Sequence, residues 1–329
     1  YEKGKNLIQY ISSFEKNWRR NVRWLRMNEF WLLTVEGILD NKGTPIQNIP
    51  FQNRLVLHGD FRNDQTAVIV DRKEIWTFID GVWSKKATSN INLNCLLWTQ
   101  DNRLLVGTAE ARLAWVKNGE LEFIKSFDMV EERRLWNTPW GGPPDVRSLA
   151  LGTDGTLYAN VHVGWIVRST DGGKTWESVH KNLEKDVHHV SAHPTKADIV
   201  FAATAYGFHI STNQGNDFTR RWKDIPLNYQ RTTTCFPDKD VYLASVARGP
   251  RGHQAALYRS ENQGETWTKV QGLPDSIQLN LNTHQLTVFE GGRAMIMVEN
   301  TELYQTEDYG QTWTNTNQTF PKTYQILIR

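Results

Sequence analysis

Seven polar residues, spaced along the chain in similar strand-like segments, are the ones that could do chemistry together: Arg54, Asn94, Arg147, His188, Arg231, His284 and Gln325. Each is the third residue of a segment patterned like "DVRSLAL" (Asp145 to Leu151). Two residues earlier in the same segments stand Gln52, Asn92, Asp145, Asp186, Tyr229, Asn282 and Thr323. Other strand-like stretches carry Val161, Val163, Ile166 and Val167, the apolar character that packing requires. A column that is polar in every segment fits the lining of a hydrated hole. The planar arginine fork suits carboxylates, phosphates and sulfates. His188, His284, Tyr229, Asp145 and Asp186 are therefore the candidate catalytic residues, able to move protons. Arg54, Asn94, Arg147, Arg231 and Gln325 are the candidate substrate-binding residues. The structural alternative is a set of Asp–Arg pairs that only ties neighbouring segments together.

Two connections could roof such a site. "RLWNTPWGGPPD" (Arg134 to Asp145) is long and carries Trp136 and Trp140, which can stack on a sugar ring. Trp140 joins the substrate-binding set. "ARGPRGHQ" (Ala247 to Gln254) brings Arg248, Arg251 and His253. His162, His188, His189, His193 and His209 lie close in sequence, but no HxH or HExxH spacing occurs. Successive strand residues face opposite ways, so His188 and His189 cannot both enter one hole. No metal or cofactor is expected; the alternative is a divalent ion held by His188 and His284. The "GGK" of Gly172 to Lys174 lacks phosphate-loop spacing.

What would position these residues is a repeat. "STDGGKTW" (Ser169 to Trp176) recurs as "STNQGNDF" from Ser211, "SENQGETW" from Ser260 and "TEDYGQTW" from Thr306. An Asp or Asn can close a turn on backbone N–H groups, a Gly can take positive φ, and the closing aromatic can plug the turn. A calcium loop would need more carboxylates, so the octet reads as structural. Weaker copies stand at Phe78 to Trp83, Val116 to Phe123 and Leu39 to Ile46. Repeats of roughly 40–50 residues with several strands each mean a propeller. Seven turns predict an all-β, seven-bladed β-propeller over residues 28–329, with six blades as the alternative. The C-terminal strand, residues 323–329, is expected to complete the N-terminal blade and remove an open edge.

Residues 1–27 read differently. Leu7, Ile11, Phe14, Trp18, Val22 and Leu25 recur at helical spacing, with Lys16, Arg19, Arg20, Arg23 and Arg26 around them. An N-terminal amphipathic helix is expected, docked on the propeller or offered to a protein partner. Charge is nearly balanced, with 38 basic and 36 acidic residues, so no nucleic-acid partner is expected. No apolar run reaches the roughly 18 residues of a membrane span. Cys95 and Cys235 lie in apolar stretches and read as buried thiols. With no signal-peptide pattern visible, the expected location is cytoplasmic.

The octets carry a resemblance: the chain is similar to the Asp-box, or BNR-repeat, β-propellers of the sialidase-like superfamily. That group includes sialidases, xyloglucan-cleaving glycosidases, sorting-receptor ectodomains and a photosystem assembly factor. The "PWGGPPDVRS" and "DVHHVSAHP" stretches look like those of uncharacterised bacterial members. In a sialidase reading Arg54, Arg147 and Arg231 would form the arginine triad. Tyr229 has no evident Glu partner, however, and "FRND" (Phe61 to Asp64) is not the family's "FRIP" stretch. The expected function is binding of an acidic small molecule or acidic sugar in the central channel, with hydrolase- or lyase-type chemistry. The alternatives are a non-catalytic scaffold for a protein partner and a lectin-like carbohydrate binder.

Overall fold

A computed structural model describes residues 30–329. They form seven antiparallel sheets, six of four strands and one of three. Blades 2 to 7 begin with inner strands Val56–Arg62, Leu93–Trp98, Val146–Leu151, Val187–Ala192, Thr233–Cys235 and Leu286–Val288. These strands pack one against the next around a ring. In blade 1 the inner strand is Thr323–Ile328, paired antiparallel with Phe30–Thr34. The seven-bladed propeller holds and the six-bladed alternative does not. The expected N-terminal helix is corrected: the described structure starts as strand Phe30–Thr34, and residues 1–27 lie outside it. The α-helix among the described residues is the single turn Lys125–Asp128.

The core is a set of slabs between blades. Leu105, Leu113, Val146 and Val161 pack together from blades 3 and 4. Tyr158, Val179, Val200 and Phe218 do the same for blades 4 and 5. Because each sheet is covered on both faces, second strands such as Leu157–Val161 and Val200–Thr204 are buried throughout. No helix is long and apolar enough to cross a membrane among the described residues. Cys95 and Cys235 are free and buried.

The octets turn between third and fourth strands. Asp171 Oδ1 accepts the backbone N–H groups of Lys174 and Thr175, each at 2.9 Å, and Thr175 Oγ1 donates to Oδ2 at 2.6 Å. Ser169 Oγ accepts from the Gly173 N–H at 2.8 Å, and Trp176 Nε1 donates to the Gly173 carbonyl at 3.2 Å. Asp308 repeats the set with Gln311 and Thr312. Gly173 sits at φ 85°, and a Cβ there would meet Trp115 at 2.6 Å. These bonds account for the octet's residues, and the turns lie away from the inner strands.

The inner strands carry a second repeated device. One residue near the start of each of four blades has no partner across the pair, a β-bulge at Leu57, Asn94, Arg147 and His188. The same irregularity puts Tyr324 out of register in blade 1. The residue after each bulge reaches the next blade. Gln325 accepts from the Gly59 N–H at 2.7 Å and donates to its carbonyl at 2.9 Å. His58 Nδ1 accepts from Leu96 N–H, Cys95 Sγ points at the Val146 carbonyl, and Ser148 Oγ accepts from Val190 N–H. His189 Nδ1 accepts from Thr233 N–H, Thr232 Oγ1 donates to the Thr283 carbonyl, and Gln285 Nε2 donates to that of Thr323. The belt is closed: every blade is tied to its successor around the channel.

Candidate functional site

A bulge re-aims the side chain of its extra residue. Arg147 and His188 are re-aimed in this way. Arg147 of blade 4 lies close enough to Arg231 of blade 6 to feel its charge, although blade 5 separates their sheets. His284 of blade 7 is held against the backbone of Arg147, almost opposite. His188 packs on Tyr229 with ring centroids 4.5 Å apart.

Register corrects two expected members. Arg54 precedes the bulge of its blade by three residues. Its Nε and Nη1 bind Asp71 at 2.7 Å and Glu74 at 3.0 Å, which draws it outward over the blade. The column position belongs to Leu57. Gln325 belongs to the interblade belt, and the column position in blade 1 is Tyr324. The column is thus not polar in every blade, and its charge is concentrated in blades 4 to 6. Asn94 keeps its place, with a buried Nδ2 that lacks a partner.

His284 is also placed differently from the expectation. Its ring lies 4.2 Å from that of His58 and 5.9 Å from that of His189. This trio lines the channel, and burial pushes His189 down to about 3 and His284 down to about 4, so both are neutral near pH 7. His188 belongs to another group, so an ion shared by His188 and His284 has no support in these contacts.

That other group is built from two blades. His162 follows the second strand of blade 4, its N–H bonded to the Asp145 carbonyl at 2.9 Å. Asp186 leads the inner strand of blade 5, and its carbonyl accepts from Ala205 N–H at 3.0 Å. Asp186 Oδ1 stands 3.2 Å from His162 Nε2 and 3.2 Å from His188 Nε2. His188 Nδ1 meets the Gln230 carbonyl at 2.5 Å. His162 was visible in the sequence only as one histidine among several; its position on the turn beside Asp145 was the missing signal.

Charge around this group is mixed: Arg147 feels Arg231 and, in the opposite sense, Asp145 and Asp186, with no ion pair to either carboxylate. Arg147 is mostly enclosed and has no hydrogen bond or ion pair from another side chain among the described residues. Burial, and then Arg231, push its guanidinium down to about 10. Arg231 has a buried Nε without a partner, a long Nη2 contact to the Pro250 carbonyl at 3.4 Å, and the Tyr229 ring 5.3 Å away. Pro250 belongs to the expected roofing hairpin. Burial raises the Tyr229 phenol above its ordinary value. In the other roof, Trp136 is buried against Phe127 and Trp176. Trp140 is 70% exposed, with its ring 5.4 Å from that of His162. At the far end of the inner strands a cavity of about 470 Å³ is lined by Asp60, Arg62, Trp98, His189 and Cys235 among others.

Fold and site together define a seven-bladed propeller with a cationic, histidine-bearing channel mouth. Residues 131–326 match the DUF6242 beta propeller domain, and the chain belongs to that family. A xyloglucanase of Hypocrea jecorina (strain QM6a) is 26% identical over 120 residues, which is 36% of this chain and 14% of the enzyme. The chain therefore corresponds to a small part of that relative. The GH74 enzyme of Niastella koreensis has a similar fold, with a TM-score of 0.60 and 14% identity over 87% of this chain and 46% of that one. Virginiamycin B lyase of Staphylococcus aureus gives 0.58 and 12%, over 81% and 84%. YCF48 bound to D1 peptide gives 0.57 and 13%, over 83% and 87%.

Proposed function

We propose that this propeller binds an acidic small molecule or acidic sugar at the mouth formed by blades 4 to 6, and eliminates a group beside the ligand's carboxylate. The observation that supports this most is Arg147, an enclosed guanidinium without a side-chain partner, with Arg231 beside it. An unpaired buried charge costs several kcal/mol in a folded protein. A ligand carboxylate would offset that cost, and bidentate pairing with arginine would orient it. Trp140 at the rim offers a flat face for a sugar ring. The partial relative is a xyloglucanase, which supports a sugar-like ligand.

Elimination fits better than hydrolysis. Glycoside hydrolysis uses two carboxyl groups flanking the bond, one of them a proton donor. At this mouth Asp186 is engaged by two histidines, which leaves Asp145 without a free carboxyl partner. Tyr229, packed on His188, supplies a group that can take and give a proton instead. The experiment is calorimetric titration with uronate-containing and matching neutral oligosaccharides, followed by the ultraviolet absorbance of the conjugated enoate product. Binding of the acidic ligand alone, lost in Arg147→Ala, is the expected result. Equal binding of neutral and acidic ligands removes the acidic reading.

A protein-binding scaffold is the second reading. Met129 and Leu135 are 81% and 43% exposed in the same interblade connection as Trp140. An apolar segment of this kind suits a peptide, and the neighbour YCF48 was seen with one.

A further inference from the structure

We infer that His162, Asp186 and His188 form a binding site for a divalent transition-metal ion. Their ligand atoms all lie within 4.8 Å of one another. His188 is 1% exposed, and the hydrogen bonding of its ring leaves a place for a cation. Its Nδ1 faces the Gln230 carbonyl, an acceptor, so Nδ1 carries the proton. In the neutral ring Nε2 is then a bare lone pair. It points at Asp186 Oδ1, also an acceptor, from 3.2 Å. Neither His188 Nε2 nor Asp186 Oδ1 has a hydrogen-bond partner. Two buried acceptors at that separation repel each other unless something positive lies between them. A metal ion satisfies both atoms, and His162 Nε2, also 3.2 Å from Oδ1, supplies the third ligand.

The spacing and the bond behind His188 agree. Ligands about 2.0–2.1 Å from a tetrahedral ion stand roughly 3.3 Å apart. A metal-binding histidine ordinarily donates its other ring N–H to a carbonyl or carboxylate, as His188 does to Gln230. Two imidazoles and one carboxylate suit Zn²⁺, Mn²⁺ or Fe²⁺ better than Ca²⁺ or Mg²⁺, which prefer all-oxygen shells. Three protein ligands leave a coordination position open. The ion site goes beyond the function proposed above and does not rest on it, since ion binding is measured without any substrate.

The test is titration of chelator-treated protein with Zn²⁺, read by calorimetry, and with Co²⁺, read by its visible ligand-field absorbance. One equivalent of Zn²⁺ is expected, with a tetrahedral-type Co²⁺ spectrum and a Zn²⁺-dependent rise in Tm. Asp186→Asn and His188→Ala should each weaken binding by about 100-fold or more, while His189→Ala and His284→Ala leave it unchanged. If His188→Ala fails to fold, His162→Gln, which removes a ligand of the neighbouring blade, serves in its place. No Zn²⁺ binding by the folded wild type, or binding that persists in folded Asp186→Asn, overturns the site.

Discussion

Arg147 of blade 4 lies within reach of the charge of Arg231 of blade 6, with blade 5 between their sheets. Sheet packing alone would keep blades 4 and 6 apart. The bulge at the start of its inner strand turns Arg147 out of the ladder, while Arg231 precedes the inner strand Thr233–Cys235 of its own blade. Like charges brought together in an enclosed place are costly, and such arrangements cluster where ligands bind.

Removing that charge should therefore stabilise the empty protein. Arg147→Met is expected to raise the unfolding free energy by about 1–3 kcal/mol, as replacement of buried charge by apolar bulk often does. The same substitution should weaken an acidic ligand at least tenfold. Denaturant melts with and without ligand measure both; a destabilised variant would show that Arg147 is structurally paired.

The interblade belt predicts the opposite for Gln325. Gln325→Leu leaves the buried N–H and carbonyl of Gly59 unsatisfied at the seam between the first and last segments of the chain. A loss of about 2–6 kcal/mol is expected, from two groups at about 1–3 kcal/mol each. Ligand affinity, measured well below the melting temperature, should hardly change.

Asp60 gives a pH dependence. Burial raises its carboxyl from the ordinary 3.8 to about 6, against the Trp98 and Phe61 N–H groups and the charge of Arg62. The folded state then binds the proton more tightly than the unfolded chain. Stability from this group is fullest below pH 4, falls as pH rises from about 4 to 6, and is level above that, by as much as about 3 kcal/mol. Asp60→Asn should flatten that window and stabilise the protein at pH 7. Melting curves across pH 4–8 check it.

Asp171 should matter for folding alone. Hydrogen bonds from Thr175 hold its carboxyl down to about 2, so the turn keeps its bonds until pH falls toward that value. Asp171→Ala is expected to lower Tm by about 2 °C or more and leave metal and ligand binding intact. A binding defect in that variant would give the octet a role beyond structure.

Trp140→Ala separates the rim from the fold. A side chain 70% exposed contributes little to stability, within about 0.5 kcal/mol. Loss of ring stacking should weaken a sugar ligand several-fold, which a titration against wild type would reveal.

The sequence by itself determined the architecture. Octets such as Ser169 to Trp176 encode a local turn through hydrogen bonds that span only a few residues, and strands buried on both faces read as apolar runs. Local rules suffice for both, so seven blades could be counted and Asn94, Arg147, His188 and Arg231 aligned. The tertiary structure decided register and company. A shift of one residue moved Gln325 from the column to the belt, because successive side chains along a strand point opposite ways. It also sent His284 to His58 rather than to His188, and brought His162 from the neighbouring blade to Asp186. Those contacts join residues of different blades through closure of the ring, and nothing in the spacing along the chain records which side chains a closed ring will bring face to face.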